Sequence, residues 1–397
     1  MRTLFKSGTF FFGCLFLRLV NAAEPTTSDF HRVFGELWHH VAHLQHHEQL
    51  EPLIKKRREE IAEIKQHWKE KLDQQPSSPF IDEVETLLKE GSLTRSTTGR
   101  GCAYLLTDKS GNYAFIIKPF DEEILCLNNP KGFASPYHDE IFRVRQSIPL
   151  YRSMLAEVLA YKFADILDLS HFIPETHLGI IEHKAFFDLS EHFPNETSLQ
   201  ERPAREKLCS IQRYLNGVND LHSYVLSWLD QHWSEQDILK SLSQESMEDL
   251  FLLIWLLYDT DAHSGNIAAS EGENGTIDLY KFDNGLTFPD HNERLLNALR
   301  FFPHAHYPLS NRLKGSILNL PVTQLLNAMH EMEMEDACPA FIERVTVLKA
   351  LIEDPSRTLA DVDLHMRALA LPQGADTASL NINLKDLEEW ISTVRAP

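Results

Sequence analysis

The residues with the most chemical promise lie in the run Asp259-Thr260-Asp261-Ala262-His263-Ser264-Gly265-Asn266 and in a second polar turn, Asp283-Asn284-Gly285, seventeen residues after Asn266. Asp261 and Asn266 are five apart, the spacing at which phosphoryl-transfer loops carry an aspartate that orients the acceptor hydroxyl and an asparagine that binds a metal ion. Asp283 follows the strand-like run Ile277–Phe282, so a hairpin would let Asn266 and Asp283 reach one cation. Such chemistry asks the protein for a lid over the phosphates, a cation on them, a group that orients the acceptor, and metal ligands. The cation candidate is Lys118, which closes the apolar run Ala114-Phe115-Ile116-Ile117. Its expected partner is Glu157, set among Leu155, Ala156, Val158 and Leu159, where an unpaired charge is costly. The lid candidates are Gly99 and Gly101 in Thr97-Thr98-Gly99-Arg100-Gly101, at the start of the first strand; glycines let backbone N–H groups approach phosphate closely. Taken singly, each feature has an ordinary alternative: a plain turn, a strand-end lysine, two unrelated polar loops. Their order along the chain is what points to one site.

With these motifs in place, the run from about residue 96 to 320 resembles a phosphatidylinositol 3/4-kinase domain, closest to type II phosphatidylinositol 4-kinases. Ala156-Glu157-Val158 followed by Phe172-Ile173-Pro174-Glu175-Thr176 resembles that family's helix and its Val-Pro-x-Thr continuation. Asn129-Pro130-Lys131, Asp283-Asn284-Gly285-Leu286-Thr287-Phe288-Pro289 and the stretch from Phe302-Pro303 to Tyr307-Pro308-Leu309-Ser310 match further segments. The resemblance implies an α+β, two-lobed protein-kinase-like fold with ATP and Mg²⁺ as cosubstrate and cofactor. It assigns Gly99, Gly101, Lys118 and Glu157 to the nucleotide, Asn266 and Asp283 to the metal, and Asp261 and His263 to catalysis. His263 is equally readable as a residue that organises the loop. The insert after Lys118 departs from the type II pattern: it holds Cys126 alone rather than a cysteine-rich stretch for lipidation. The catalytic loop is also that of HipA-type serine kinases, which phosphorylate protein. Three alternatives to a lipid kinase therefore stand: a protein kinase, a kinase-fold module that binds nucleotide without lipid turnover, and another transfer from ATP such as adenylylation.

Positioning these groups takes a small β-rich part followed by a larger helical one. Strands are expected at Cys102–Thr107, Tyr113–Ile117, Glu175–Glu182 and Lys207–Tyr214, with a turn at Asp108–Asn112 and a helix from about Tyr151 to Ile166. Leu250–Tyr258, apolar on nearly all sides, predicts a buried helix leading into the catalytic loop, and Ile277–Phe282 is the one β interruption expected beyond residue 220. The resulting division is a signal peptide at 1–23, an N-terminal helical region at 24–92, a catalytic domain at 93–340 (N-lobe about 93–215, C-lobe about 216–340) and a helical region at 341–397.

The chain has 397 residues, a 43% hydrophobic share and a net charge of -20. The apolar share suits a packed core, and the charge argues against a nucleic-acid partner. Arg2 and Lys6, the apolar stretch Phe10–Leu17 and Val20-Asn21-Ala22-Ala23 read as an export signal, too short to span a bilayer. A kinase site on an exported chain fits delivery into a host cell or work in a secretory lumen, and the sequons Asn195-Glu196-Thr197 and Asn274-Gly275-Thr276 suit the second. Cys102, Cys126, Cys209 and Cys338 form no C-x-x-C pair, which reads as buried thiols rather than a zinc site. His39, His43 and His47 share helical spacing and read as a solvated face. The expected acceptor is a phosphatidylinositol head group. After Asp283-Asn284-Gly285 the chain offers Leu295, Leu296, Leu299, Phe301 and Phe302 but only Arg294 and Arg300 as cations, so the apolar residues either face acyl chains or pack the helical part.

Overall fold

The computed structural model describes residues 47–371 except 77, 132, 134–143, 189–202, 232 and 273–274, and leaves the side chains of 47–51 and 229 undescribed. Residues 1–23, His39 and His43, the sequons at Asn195 and Asn274, and residues 372–397 lie outside the described residues.

A five-stranded antiparallel sheet has the order β1-β2-β3-β5-β4, with β1 Ser92–Arg95, β2 Tyr104–Thr107, β3 Tyr113–Pro119, β4 Thr176–His183 and β5 Arg205–Arg213. Strands β2 and β3 are short apolar runs with aromatic and β-branched residues, which favour a strand, and Asp108 closes their turn by accepting from the N–H groups of Ser110 (2.8 Å) and Asn112 (2.9 Å). Helix α1 spans His47–Asp73 and α2 spans Pro79–Glu90. Ser78 caps α2 by accepting from Ile81 N–H, with Pro79 at the first position. Helix α2 covers one face of the sheet, where Phe80 and Val84 pack with Leu93, Tyr104, Phe115, Ile117 and Ile211. Helix α3, Ser153–Ile166, covers the other through Leu159, Ala160 and Phe163, which join the main core.

Beyond the sheet the chain is mostly helical: α4 Leu221–Asp230, α5 Glu235–Ser241, α6 Gln244–Leu257, α7 Asn311–Leu318, α8 Val322–Glu331, α9 Cys338–Leu351 and α10 Leu359–Ala368. Helix α6 is buried continuously from Met247 to Leu257. A helix apolar all round belongs at the centre of a core, and this one carries the Asp259–Asn266 loop at its end. A small sheet of β6 Asn219–Asp220, β7 Ile267–Glu271 and β8 Ile277–Lys281 completes the fold. Ile277–Phe282 is thus not the single interruption expected from sequence. Its partner Ile267-Ala268-Ala269-Ser270-Glu271 has too little β-branched character to stand out, and tertiary pairing makes it a strand. Ser92–Arg95 is likewise a strand that propensity does not announce. It places Gly99 and Gly101 in the turn between two strands rather than at the start of the first.

Helix α1 touches both parts. Lys69 pairs with Glu206 at the start of β5, while His67 and Lys71 pair with Glu333 after α8. Between these contacts Trp68 is 5% exposed and belongs to the main core. All four described cysteines are free, buried thiols. Among the described residues no helix is long and apolar enough to cross a membrane. Trp68→Ala should therefore lower unfolding stability by about 3 kcal/mol, the usual cost of emptying a buried aromatic site. Lys69→Ala, at an exposed pair, should leave the denaturation midpoint nearly unchanged. Urea titrations of the two variants check this.

Candidate active site

Strand β3 ends beside the mouth of the β1–β2 turn. Tyr104 at the start of β2 lies opposite Ile117, so the glycine-bearing turn and Lys118 share one end of the sheet. Gly99 has φ +74°, a conformation that other residues adopt only with strain. From β3 the Lys118 side chain reaches Glu157 Oε1 in a close ion pair and Asp283 Oδ1 at 2.8 Å. Glu157 projects from the middle of α3 and is 1% exposed; Lys118 is 20% exposed and Asp283 about half exposed. Three predicted residues, far apart in sequence, thus meet through one ammonium group.

The electrostatics follow from that meeting. Burial pushes the Glu157 carboxyl upward, against the pull of Lys118. Lys118 is held above the ordinary lysine range because Asp283 and Glu157 together outweigh its own burial. The Lys118 charge draws Asp283 down to about 2. A buried carboxylate next to one cation is charged only while that cation stays.

The second half of the site is the loop after α6. Tyr258 ends that helix in the left-handed region (φ 48°). Asp259 then pairs with Lys281 of β8 at 2.8 Å, both wholly buried. Leu286 O accepts from Thr260 N (3.1 Å) and Thr260 Oγ1 (2.9 Å), Phe288 N donates to Leu257 O (2.8 Å), and Ala298 N donates to Ala262 O (2.9 Å). The loop is laced on one side to β8 and on the other to the segment after Asp283. The β7–β8 hairpin starts and ends on the two metal candidates: Asn266 precedes β7, Asp283 follows β8 after Phe282, and Phe282 N donates to Asn266 O at 3.2 Å. Asp283 sits at φ 56°, a strained region that aspartate tolerates better than most side chains. Gly285 is required by close approach: a Cβ there would lie 2.1 Å from Ser153 Oγ at the start of α3.

Asp261 is fixed from several sides. Its amide donates to Asp259 Oδ1 (2.7 Å), Asn266 Nδ2 donates to its backbone oxygen (2.9 Å) and to Oδ2 (3.2 Å), and Arg145 Nη2 donates to Oδ1 (3.2 Å). Burial raises its carboxyl, opposed by His263 and Arg145 and assisted by Asp259 and Asp283. His263 Nδ1 accepts from Gly265 N–H (3.0 Å), and Nε2 stands 3.8 Å from Asp261 Oδ2. The first contact organises the loop; the second exceeds hydrogen-bond reach. Sequence reasoning missed Arg145. It lies in an irregular stretch between β3 and α3, and its partner Asp261 lies 116 residues away.

The donor set suits a hard divalent ion such as Mg²⁺. The Asn266 amide nitrogen is committed to Asp261, which leaves its oxygen for a cation, and Asp283 keeps a second carboxylate oxygen beyond the one on Lys118. Among the described residues no group of three His, Cys, Asp or Glu closes a metal cage. Mg²⁺ typically binds through one or two protein oxygens, with substrate phosphates and water completing the shell. Of the apolar residues after Asp283, Leu295, Leu299 and Phe302 are buried in the main core, while Leu296 and Phe301 are half-buried. The first three are needed there to bury the segment that laces the loop.

The chain is similar to plant phosphatidylinositol 4-kinases of the gamma type. It is 27% identical over 259 residues to phosphatidylinositol 4-kinase gamma 6 of Arabidopsis thaliana, covering 63% of this chain and 39% of that protein. It is 25% identical over 278 residues to the gamma 3 protein of the same plant (67% and 45%) and 22% identical over 257 residues to the gamma 4 protein of Oryza sativa subsp. japonica (64% and 41%). The chain thus spans less than half the length of these curated relatives. The likeness is to gamma-type proteins, where the sequence motifs had suggested type II. No family model matches. Among solved structures, the Golgi casein kinase with Mn/ADP bound overlays at TM-score 0.39 with 14% identity, covering 71% of this chain and 74% of that one.

Lys118→Met should destabilise the protein at neutral pH by about 3 kcal/mol, since it strands a buried carboxylate. The double change Lys118→Met, Glu157→Gln should recover most of that loss. With Lys118 removed, burial raises the Glu157 carboxyl without its main opposing charge, so the folded variant takes up a proton that the unfolded chain releases. The single variant's deficit should therefore shrink toward pH 4 and widen as pH rises. Chemical denaturation of the three proteins at pH 4.5 and 7.5 (about the ends of the useful range) checks both statements.

Proposed function

We propose that this chain is an ATP- and Mg²⁺-dependent phosphotransferase of the phosphatidylinositol-kinase type, with a two-lobed kinase-like architecture. The sheet with α3 forms the smaller lobe and α4 to α10 the larger. The observation that carries the proposal is the meeting of Lys118, Glu157 and Asp283 at the open end of the sheet, beside the loop that holds Asp261 and Asn266. Lys118, steadied by Glu157, places a cation on the nucleotide phosphates. Asn266 and Asp283 supply the oxygens for a divalent ion, which when bound neutralises charge on the transferring phosphoryl group. Asp261 has a carboxyl raised by burial and a fixed orientation, as suits a group that accepts a hydrogen bond from the acceptor hydroxyl and draws off its proton. His263 acts as a loop organiser through Gly265.

The acceptor proposed is a phosphatidylinositol head group. What supports it is the naming of the plant relatives, whose matched region includes more than half of this chain. The site adds a weaker point: Arg145 is engaged by Asp261, which makes it less available to a highly phosphorylated head group. Export by residues 1–23, with action in a host cell or secretory lumen, is part of the same proposal.

Asp283→Asn and Asp261→Ala should each lower kcat by about 10²–10³-fold, the usual loss when one group that stabilises the transition state is removed. Circular dichroism should show both folded. The assay follows γ-labelled ATP onto phosphatidylinositol, its mono- and bisphosphates, and a generic protein. Lipid labelling that favours the bisphosphate would count against the head-group assignment, and labelling of protein alone would replace it with a protein kinase. Unchanged turnover in either variant would remove its residue from the mechanism.

A further inference from the structure

The glycine-bearing turn is held from one side by two residues that the proposed chemistry does not use. Lys131 Nζ donates to the carbonyl oxygens of Thr98, Gly99 (3.2 Å) and Gly101 (3.0 Å). Asn129 Nδ2 donates to that of Arg100 (3.1 Å). The four consecutive carbonyls from Thr98 to Gly101 are therefore all turned toward one pair of side chains. In a trans peptide the N–H points opposite to the C=O. The N–H groups of Gly99, Arg100 and Gly101 are thereby turned away from the side chains of Asn129 and Lys131. Cys102 N–H instead donates to Glu122 O (3.1 Å), which Asn129 Nδ2 also holds (3.0 Å), and this anchors the end of the turn. Successive amides on one side of a loop make a concavity for anions.

The braces are themselves fixed. Asn129 is 3% exposed; its amide also donates to Glu122 O and Glu123 O at 3.0 Å each, and its Oδ1 accepts from Lys131 N (2.9 Å) and Phe133 N (3.4 Å). Lys131 is only partly exposed. Among the described residues it makes no salt bridge, and its ammonium donates to carbonyls instead. Burial is the main influence on that ammonium and lowers its pKa, a cost that the three carbonyl contacts offset. Gly101 fits the same picture. A Cβ there would meet nothing nearer than Ile124 N at 3.9 Å, so the fold alone does not require glycine at this position, whereas a ligand seated close to the backbone would.

We propose that Asn129 and Lys131 are positioning residues that hold the Thr98–Gly101 backbone with its N–H groups presented to the phosphates of a nucleoside di- or triphosphate. The phosphate half of this statement rests on the function proposed above; the bracing half does not. The two act through the backbone and touch no reacting atom. The brace governs nucleotide affinity and leaves the chemical step to Lys118, Asp261, Asn266 and Asp283.

The test compares wild type, Lys131→Met and Lys131→Arg, each first checked for an unchanged thermal midpoint. Amide hydrogen exchange over residues 97–102 in ligand-free protein reads the brace directly. Lys131→Met should speed that exchange about tenfold and raise both the Kd for Mg·ADP, by calorimetry, and the KM for ATP about tenfold, with kcat within about twofold. Lys131→Arg, which keeps the cation and its donors, should restore loop protection and most of the affinity. Unchanged exchange in Lys131→Met overturns the brace. A fall in kcat at constant KM overturns the assignment to nucleotide binding. Wild-type protein that binds no Mg·ADP overturns the nucleotide function itself, and with it the phosphate half of the proposal, while the exchange result still decides the bracing half.

Discussion

A carboxylate in the middle of an apolar helix face can remain charged only beside a cation, and Glu157 meets that condition through Lys118. Much of the architecture serves this contact. Helix α3 must lie on the sheet so that Glu157 faces the end of β3, and Phe163 and Leu159 bury its remaining surface to hold it there. The N-terminus of α3 must come close to the turn after β8, which leaves room at position 285 only for glycine. Asp283 then shares the ammonium from the side of the helical part. One lysine thereby couples the sheet, the helix laid on it and the hairpin of the larger part, and any relative movement of these elements is felt at its charge.

The loop with Asp261 is organised differently. Apart from a single 3-10 turn at Ser264–Asn266 it has no regular structure, so its backbone groups are satisfied partly within the loop and partly by neighbouring segments. The buried pair Asp259–Lys281 supplies the strongest tether, and bonds to Leu286, Ala298 and Asp261's own neighbours supply the rest. Helix α10 supports this base: Tyr258 Oη donates to Met366 O at 3.0 Å, and Asp363 Oδ1 accepts from Trp255 Nε1 (3.1 Å) and Asn297 Nδ2 (2.9 Å). The region after residue 340 is thus part of the foundation of the loop rather than an appendage.

Elements with strong local signals were legible in the sequence: the alternating strand at β3, the buried helix α6 and the turn at Asp108. Lys118, Glu157 and Asp283 were legible as well, since each stands as a polar residue at the end or in the middle of an apolar run. What the sequence concealed depends on long-range pairing. Strands β1, β6 and β7 are short and carry little β propensity, and become strands because a partner edge is present. Arg145 lies in an irregular stretch, and nothing local marks it as the partner of Asp261. The leucines and phenylalanines after Asp283 were ambiguous because an apolar residue in a loop suits a ligand surface and a core equally; only tertiary packing places Leu295, Leu299 and Phe302 inside.

The acceptor side has little positive charge to offer, and this constrains recognition. The chain carries a net charge of -20, so its long-range field repels anionic surfaces and phosphorylated ligands alike. Among the described residues, Lys118 is committed to two carboxylates, Lys281 to Asp259, and Arg145 to Asp261 and the backbone oxygen of Thr260. A nucleotide bound as proposed above would meet the ammonium of Lys118 and the amides of a glycine turn rather than a cluster of arginines. An acceptor approaching Asp261 would meet hydrogen-bonding groups and a fixed carboxylate. Selection by hydroxyl geometry is what such a surface can provide, and that favours an acceptor whose reactive group is a neutral ring or side-chain hydroxyl over one recognised chiefly through its phosphates.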